Sequence, residues 1–384
     1  MGKKIMILAL TIALIFSGCW NRRELNQLAI VLGLGIDREG DGQVRISVQV
    51  VKPGEIGGEQ KGGGSAGSPS LVLTTEGRTV FDAVRNFIEL SGRKMFFSHN
   101  QVIIFGEGLA RQGLKPVIDW IERDAEPRTE VPVLIARGEA ENILKLSGVM
   151  EKLSAMEIKD SLLMASLTSK AGPIHYRDFL QSFASGKTGH VAPGIEIVNR
   201  SGRPAFRITG TAVFKRDKLT GWLNERETRG MLWVKGKVKS AIIVVPGVGQ
   251  RKGDIAIEVL KAGARIEAAF EGGKPLITVH IKEEGNIGEV TGFQDTSKPE
   301  IIRELQNKQA DVIKSEIWAS IKKAQKEFKA DIFGFAEELH RSDPKSWGQI
   351  KEHWEEEFSR MEVRLDVKSI IRRPGQKSRP TVPK

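Results

Sequence analysis

The chain has 384 residues, with 59 Lys and Arg against 48 Asp and Glu and a formal net charge of +11. That length leaves room for more than one hydrophobic core, since domains usually run ~100–200 residues. The basic excess would suit nucleic acid or an anionic membrane, but there is one tyrosine and no basic stripe interleaved with aromatics, which argues against a nucleic-acid binder. A single cysteine, Cys19, rules out an internal disulfide.

The first element is a leader. Lys3 and Lys4 precede an uncharged apolar run from Ile5 to Phe16, too short for a bilayer span of ~20 residues. A charged start, a short apolar core and small residues at its end read as an export signal over residues 1–18. Ser17-Gly18-Cys19 resembles the lipobox of lipoproteins, with Phe16 where that pattern prefers Leu, Val or Ile. The expectation is cleavage before Cys19 and a lipid on its thiol; the alternative is an ordinary buried cysteine or the end of an uncleaved anchor helix. Cleavage removes Lys3 and Lys4 and takes the charge from +11 to +9. One acyl chain alone holds weakly, so a basic surface would add to anchoring.

Leu28–Ile36 is an apolar run and Gln43–Val51 alternates, with turn formers at 37–42 between them, so the pair predicts a β-hairpin. Residues 53–70 are Gly-, Ser- and charge-rich and are read as a flexible loop. A strand at Leu71–Thr75, a helix at Val80–Leu90, a buried strand at Val102–Phe105 and a short helix at Leu114–Glu122 follow. Val131–Ala136 is β-rich, and Glu139–Leu167 is helical in pattern with a break expected at Gly148. Gly186–Gly194 is read as a connector between domains.

The second half is expected to hold strands at Arg207–Lys215, Leu232–Val245, Ile255–Phe270 and Pro275–Lys282. Ser297-Lys298-Pro299-Glu300 has the pattern of a capping box that would open a helix of roughly 30 residues. Ile301, Leu305, Val312, Ile313, Ile317, Ala324 and Phe328 would form its apolar face. Asp343 and Pro344 start a helix lined by Trp347, Ile350, Trp354 and Phe358, and Met361–Lys368 alternates as a half-buried strand. These helical stripes are read as core, with docking surfaces as the alternative. The fold class expected is α+β, multi-domain, with mixed and antiparallel sheets packed by helices. The divisions are 19–200, 205–373 (with room for lobes at 205–295 and 296–373) and a disordered tail at 374–384.

No chemistry stands out. Gly63–Gly67 matches a nucleophile elbow but lies in the low-complexity loop, without the strand and helix that elbow needs. Gly186-Lys187-Thr188 lacks the earlier glycine of a phosphate loop, and Gly230–Lys237 has the wrong spacing. Gly33 and Gly35 lack a third glycine and are read as close backbone approach or a bulge. His99, His175, His190, His280, His340 and His353 show no metal-binding spacing. No catalytic residue, cofactor or metal is assigned.

Several blocks do resemble a known family. They are Cys19–Asn26 with the following strand ending Gly-Leu-Gly-Ile-Asp37; Phe96-Phe97-Ser98-His99; Gly210–Lys215 with Gly221-Trp222-Leu223 and Glu227-Thr228-Arg229-Gly230; and Asp331–Ala336 with His340-Arg341, Trp347, Trp354 and Ile370–Arg373. In this order the set resembles the Ger(x)C family of spore germination lipoproteins, with Ala336 where the family often has glycine. The resemblance implies a multi-domain α+β fold and a non-enzymatic C subunit of a nutrient germinant receptor. It implies a place on the outer face of the inner spore membrane, held by the Cys19 lipid beside two integral-membrane partners, the A and B subunits. Arg22 and Arg23, next to the lipidated cysteine, are placed to meet phospholipid headgroups, with solvated linker charges as the equal alternative. The competing expectation is a lipid-anchored envelope binding protein or cell-wall hydrolase.

Overall fold

In a computed structural model the described residues are 2, 24–40, 42–52, 69–123, 128–148, 150–247 except 186–188, 253–291 and 295–373. The leader, Cys19, Arg22 and Arg23, the greater part of the 53–70 loop with its elbow-like glycines, Gly186–Thr188 and the 374–384 tail fall outside them.

The apolar runs of the first half become a nine-stranded sheet. Its strands are β1 (Leu28–Glu39), β2 (Gln43–Val51), β3 (Ser70–Gly77), β4 (Lys94–Phe96), β5 (Val102–Gly106), β6 (Val133–Ala136), β7 (His190–Arg200), β8 (Arg203–Lys215) and β9 (Lys218–Leu223). The order is β3-β2-β1-β5-β6-β7-β8-β9, with β4 against the start of β1. The expected hairpin is present: β1 and β2 are antiparallel, with Glu39 opposite Gln43. β1, β5, β6 and β7 run parallel, and the β7–β9 meander is antiparallel.

Parallel strands are covered on both faces, and so it is here. One face packs under α1 (Val80–Ser91), α2 (Glu107–Gln112), α3 (Lys115–Arg123) and α6 (Tyr176–Ser185), around Phe87, Trp120 and Phe179. The other packs under α4 (Ala140–Leu144) and α5 (Ser154–Ala165), around Leu144, Ile158 and Leu162. The expected break near Gly148 falls between α4 and α5. Gly33 and Gly35 are sites of close approach: a Cβ on Gly33 would come within 2.8 Å of Leu144, and one on Gly35 within 3.2 Å of Ala140. The register also shifts between Val31 and Gly33, a bulge.

The second half builds a four-stranded sheet in the order β10 (Ile242–Pro246), β11 (Asp254–Glu271), β12 (Lys274–Val290), β13 (Glu362–Arg373). α7 (Glu225–Val234), α8 (Pro299–Lys323) and the π turn Ala324–Phe328 pack on it, followed by α9 (Phe335–Ser342), α10 (Pro344–Ile350) and α11 (Trp354–Arg360). The expected stripe of the long helix is inward: Leu305, Ile313, Ile317, Ala324 and Phe328 are buried.

Three expectations give way. Leu232–Val234 is the last turn of α7 rather than a strand, because Asn224 and Glu227 form a reciprocal capping box that starts a helix there. The long helix is not opened by Ser297. Its N-cap is Lys298 with Pro299 in the first turn, and the Ser297 hydroxyl donates 2.5 Å to Asp295 instead. Within the stretch read as a connector, His190 onward is strand β7, whose hairpin with β8 turns at Ser201-Gly202.

Candidate functional site

The residue expected to carry function, Cys19, lies outside the described residues, five positions before Glu24. Among the described residues no helix is long and apolar enough to cross a membrane. The features that can be weighed are a cleft, a joint between the halves, and two buried carboxylates.

The cleft, of about 1010 Å³, lies between α3, α6 and the β7–β9 strands on one side and residues 329–331 with α10 and α11 on the other. Its walls mix signs, and Lys215 and Glu355 pair at 2.6 Å. His190 is buried in one wall and stacks on Phe183 with ring centroids 4.2 Å apart. Burial drives its imidazole down to about 4, with the Lys235 ammonium adding to the effect. No Ser, Thr or Cys is among the described lining residues. Trp347, Trp354 and Phe358, read as one side of a single helix, fall on two, α10 and α11, parted by a 3-10 turn at Lys351–His353; they are buried and pack edge-on or tilted at 5.2 and 5.9 Å. They belong to the core of the second half. Among the described residues no three His, Cys, Asp or Glu side chains gather as a metal site.

The Glu227-Thr228-Arg229-Gly230 block is a joint. Arg229 grips Glu316 of α8 with both arms of its guanidinium, the Nε at 2.9 Å, and Trp233 Nε1 donates to the same carboxylate at 3.0 Å. Glu316 is 3% exposed, so this is a desolvated pair in which both carboxylate oxygens are used. Gly230 lets the helices touch: a Cβ there would fall 2.1 Å from the Glu316 carbonyl oxygen. Toward the other sheet, the Thr228 hydroxyl lies 3.0 Å from that of Thr211 in β8. Lys323 adds an ion pair to Glu227 at 3.1 Å. The block is legible in the sequence, but its partner Glu316 sits 87 residues away on the long helix, whose own pattern shows only an apolar face. The readable signal was the Asn-x-x-Glu spacing of Asn224 and Glu227.

Two further blocks carry buried aspartates that cap backbone. Asp37, closing Gly-Leu-Gly-Ile-Asp, accepts from the N–H groups of Ala140 at 2.8 Å and Glu141 at 3.0 Å, capping α4. Asp331 accepts from Phe333, Gly334 and Ala336 at 3.0, 3.0 and 2.8 Å, holding the turn that leads into α9. Burial raises both carboxyls and these N–H groups oppose it. Lys235 donates to the Ile332 carbonyl at 2.8 Å, and burial lowers its ammonium to about 8.

These blocks recur in known proteins. The chain matches a model described as "Spore germination protein N-terminal domain" over residues 21–197, and one described as "Spore germination B3/ GerAC like, C-terminal" over residues 209–375. It belongs to the Ger(x)C family of spore germination proteins. Relatives in Bacillus subtilis strain 168 include spore germination protein KC, 28% identical over 98% of this chain and 97% of that one. Spore germination protein B3 is 25% identical over 91% of this chain and 92% of its own. The crystal structure of the GerBC protein aligns with a TM-score of 0.59 at 22% identity, covering 88% of this chain and 97% of that one, an agreement in fold. The two family models part inside the β7–β8 hairpin, so their boundary is not a break in the sheet.

Proposed function

We propose that this chain is the lipid-anchored, non-enzymatic C subunit of a nutrient germinant receptor of the Ger(x)C family. A lipid on Cys19 holds it at the outer face of the inner spore membrane, where it works through contacts with the integral-membrane A and B subunits. The observation that carries the reading is the match of both halves to spore germination models, with relatives aligned over nearly their full length. The absence of charge from Ile5–Phe16 and the small residues before Cys19 support the anchor. The three family blocks described above are occupied by structural work, capping and joining, which suits a protein that acts by contact.

The test is deletion of the gene in a strain lacking paralogues, with spores challenged by a panel of amino acids, sugars and nucleosides. Loss of response to at least one nutrient, restored by the intact gene, is expected. Full response to every nutrient would overturn the reading. So would peptidoglycan hydrolysis by the purified body, abolished by changing one carboxylate.

A further inference from the structure

Helix α5 is apolar on both sides. Ala155, Ile158 and Leu162 face the sheet and are buried. Its outward side carries Met156, Leu163 and Met164, exposed by 40, 44 and 60%, and Leu167 in the following turn is exposed by 52%. A surface helix ordinarily turns a polar face to water; this one turns methionines and leucines. In the middle of the stripe stands Asp160, one turn from both Met156 and Met164. It is exposed and makes no hydrogen bond or ion pair among the described residues. Helix α1 also exposes Phe81, Ile88 and Leu90, but there Phe81 lies under the guanidinium of Arg85, 4.8 Å from the ring centre.

The place of α5 in the fold limits what can cover it. Lys159 donates to the Gln101 side chain at 2.7 Å, and Gln101 N–H donates to the Leu32 carbonyl at 2.7 Å. The helix therefore crosses β1 near Leu32, a short way along a strand that starts at Leu28. The nine residues from Cys19 to Leu28 span at most about 30 Å when extended. A chain tethered at Cys19 thus keeps this face close to the bilayer. Between lipid and protein as occupants, Asp160 decides. A carboxylate in the centre of the face is costly against hydrocarbon and favourable opposite a fixed cation. Methionine side chains adapt to a partner's shape, and an apolar helix face is a common reader of a partner segment.

We propose that this face of α5 docks an apolar, Lys- or Arg-bearing segment of a protein embedded in the same membrane, with the cation opposite Asp160. The proposal rests on the lipid-anchored receptor reading above.

The test uses the full-length chain in spores, with a photoreactive residue in place of Met164 and tagged copies of the integral-membrane subunits. A control places the photoreactive residue at Arg265, on the charged face of the second sheet. Expected are an adduct between position 164 and a tagged subunit, none from position 265, and an at least tenfold loss of adduct in Asp160→Lys. The exposed Asp160 should tolerate that change, with the melting temperature unchanged as the check on folding. An adduct with phospholipid alone, or with a second copy of this chain, would overturn the proposal. So would no adduct at 164, or a yield indifferent to Asp160→Lys. Lipid labelling of Cys19 is read separately; its absence would overturn the anchor, and with it the reason to expect a membrane partner.

Discussion

The nine-stranded sheet is covered by helices on both faces, whereas the four-stranded sheet packs helices on one face and gives the other to water. Ile103 and Ile104 of β5 point to opposite cores and are both 0% exposed. In β13, Val363 and Val367 are buried while Glu362, Arg364 and Asp366 form a charged outer face. There His280 lies between Glu267 at 3.2 Å and Asp366 at 3.0 Å. The difference teaches how each sheet is encoded. A strand buried on both faces is an uninterrupted apolar run, and one buried on a single face alternates. Each region also buries a titratable group on a strand: the imidazole of His190 in β7, which burial lowers to about 4, and in β12 the carboxyl of Glu283, which burial raises to about 7.

The strongest way to break the comparison is to cut the joint. Glu316→Ala leaves the Arg229 guanidinium and the Trp233 N–H without their partner, and should cost about 3–5 kcal/mol. Denaturant unfolding should show that loss as a lower midpoint; a midpoint unchanged from the parent would mean that the contact between α7 and α8 adds nothing to stability. Next in size is the packing contrast. Ile104→Ala should cost about 2–5 kcal/mol in denaturant unfolding, against roughly 1 kcal/mol for the half-buried Leu365→Ala.

The buried titratable groups sharpen it further through pH. Glu283 is raised from 4.5 to about 7, so its protonated form is favoured in the fold and stability should fall as pH rises from 4.5 to 7. His190 is lowered from 6.5 to about 4, so its contribution should fall as pH drops from 6.5 to 4. Each effect is on the order of 3 kcal/mol at most. Glu283→Gln should remove the loss on the alkaline side, and His190→Gln the loss on the acid side, in melts between pH 4 and 8. The same pH profile in either variant as in the parent would refute the assignment. The smallest effect expected is Asp343→Ala, which removes the cap on α10 from Lys345 and Ser346 and should lower the melting temperature only slightly.

What could be read in advance follows the same divide. The β1–β2 hairpin, the alternation of β13 and the apolar face of α8 were visible because each is a local period. Glycine spacing announced the close approach at Gly33 and Gly35 but not its partners, Leu144 and Ala140. Ser297 misled because a nearer acceptor, Asp295, took its hydroxyl. The apolar residues of Leu232–Val234 read as strand because burial on α7 makes a short helix look like a run, and the Asn-x-x-Glu spacing of Asn224 and Glu227 is the local feature that separates the two. Of the features expected to carry function, Cys19 stands in a local motif. The Glu316 joint does not, since nothing in residues 224–234 states which distant carboxylate they meet. The apolar outward face of α5 was hidden for a related reason: periodicity shows that a helix is apolar, not which side its sheet leaves uncovered.

The central claim is that the folded body works from a lipid on Cys19. The direct measurement is Cys19→Ala at the native locus, with palmitate labelling, fractionation of the inner spore membrane and nutrient germination scored on the same spores. The account predicts loss of label, release from the membrane and a germination defect like that of the deletion, while the released body keeps its parent melting temperature. A labelled, membrane-bound or fully germination-competent Cys19→Ala chain would contradict it.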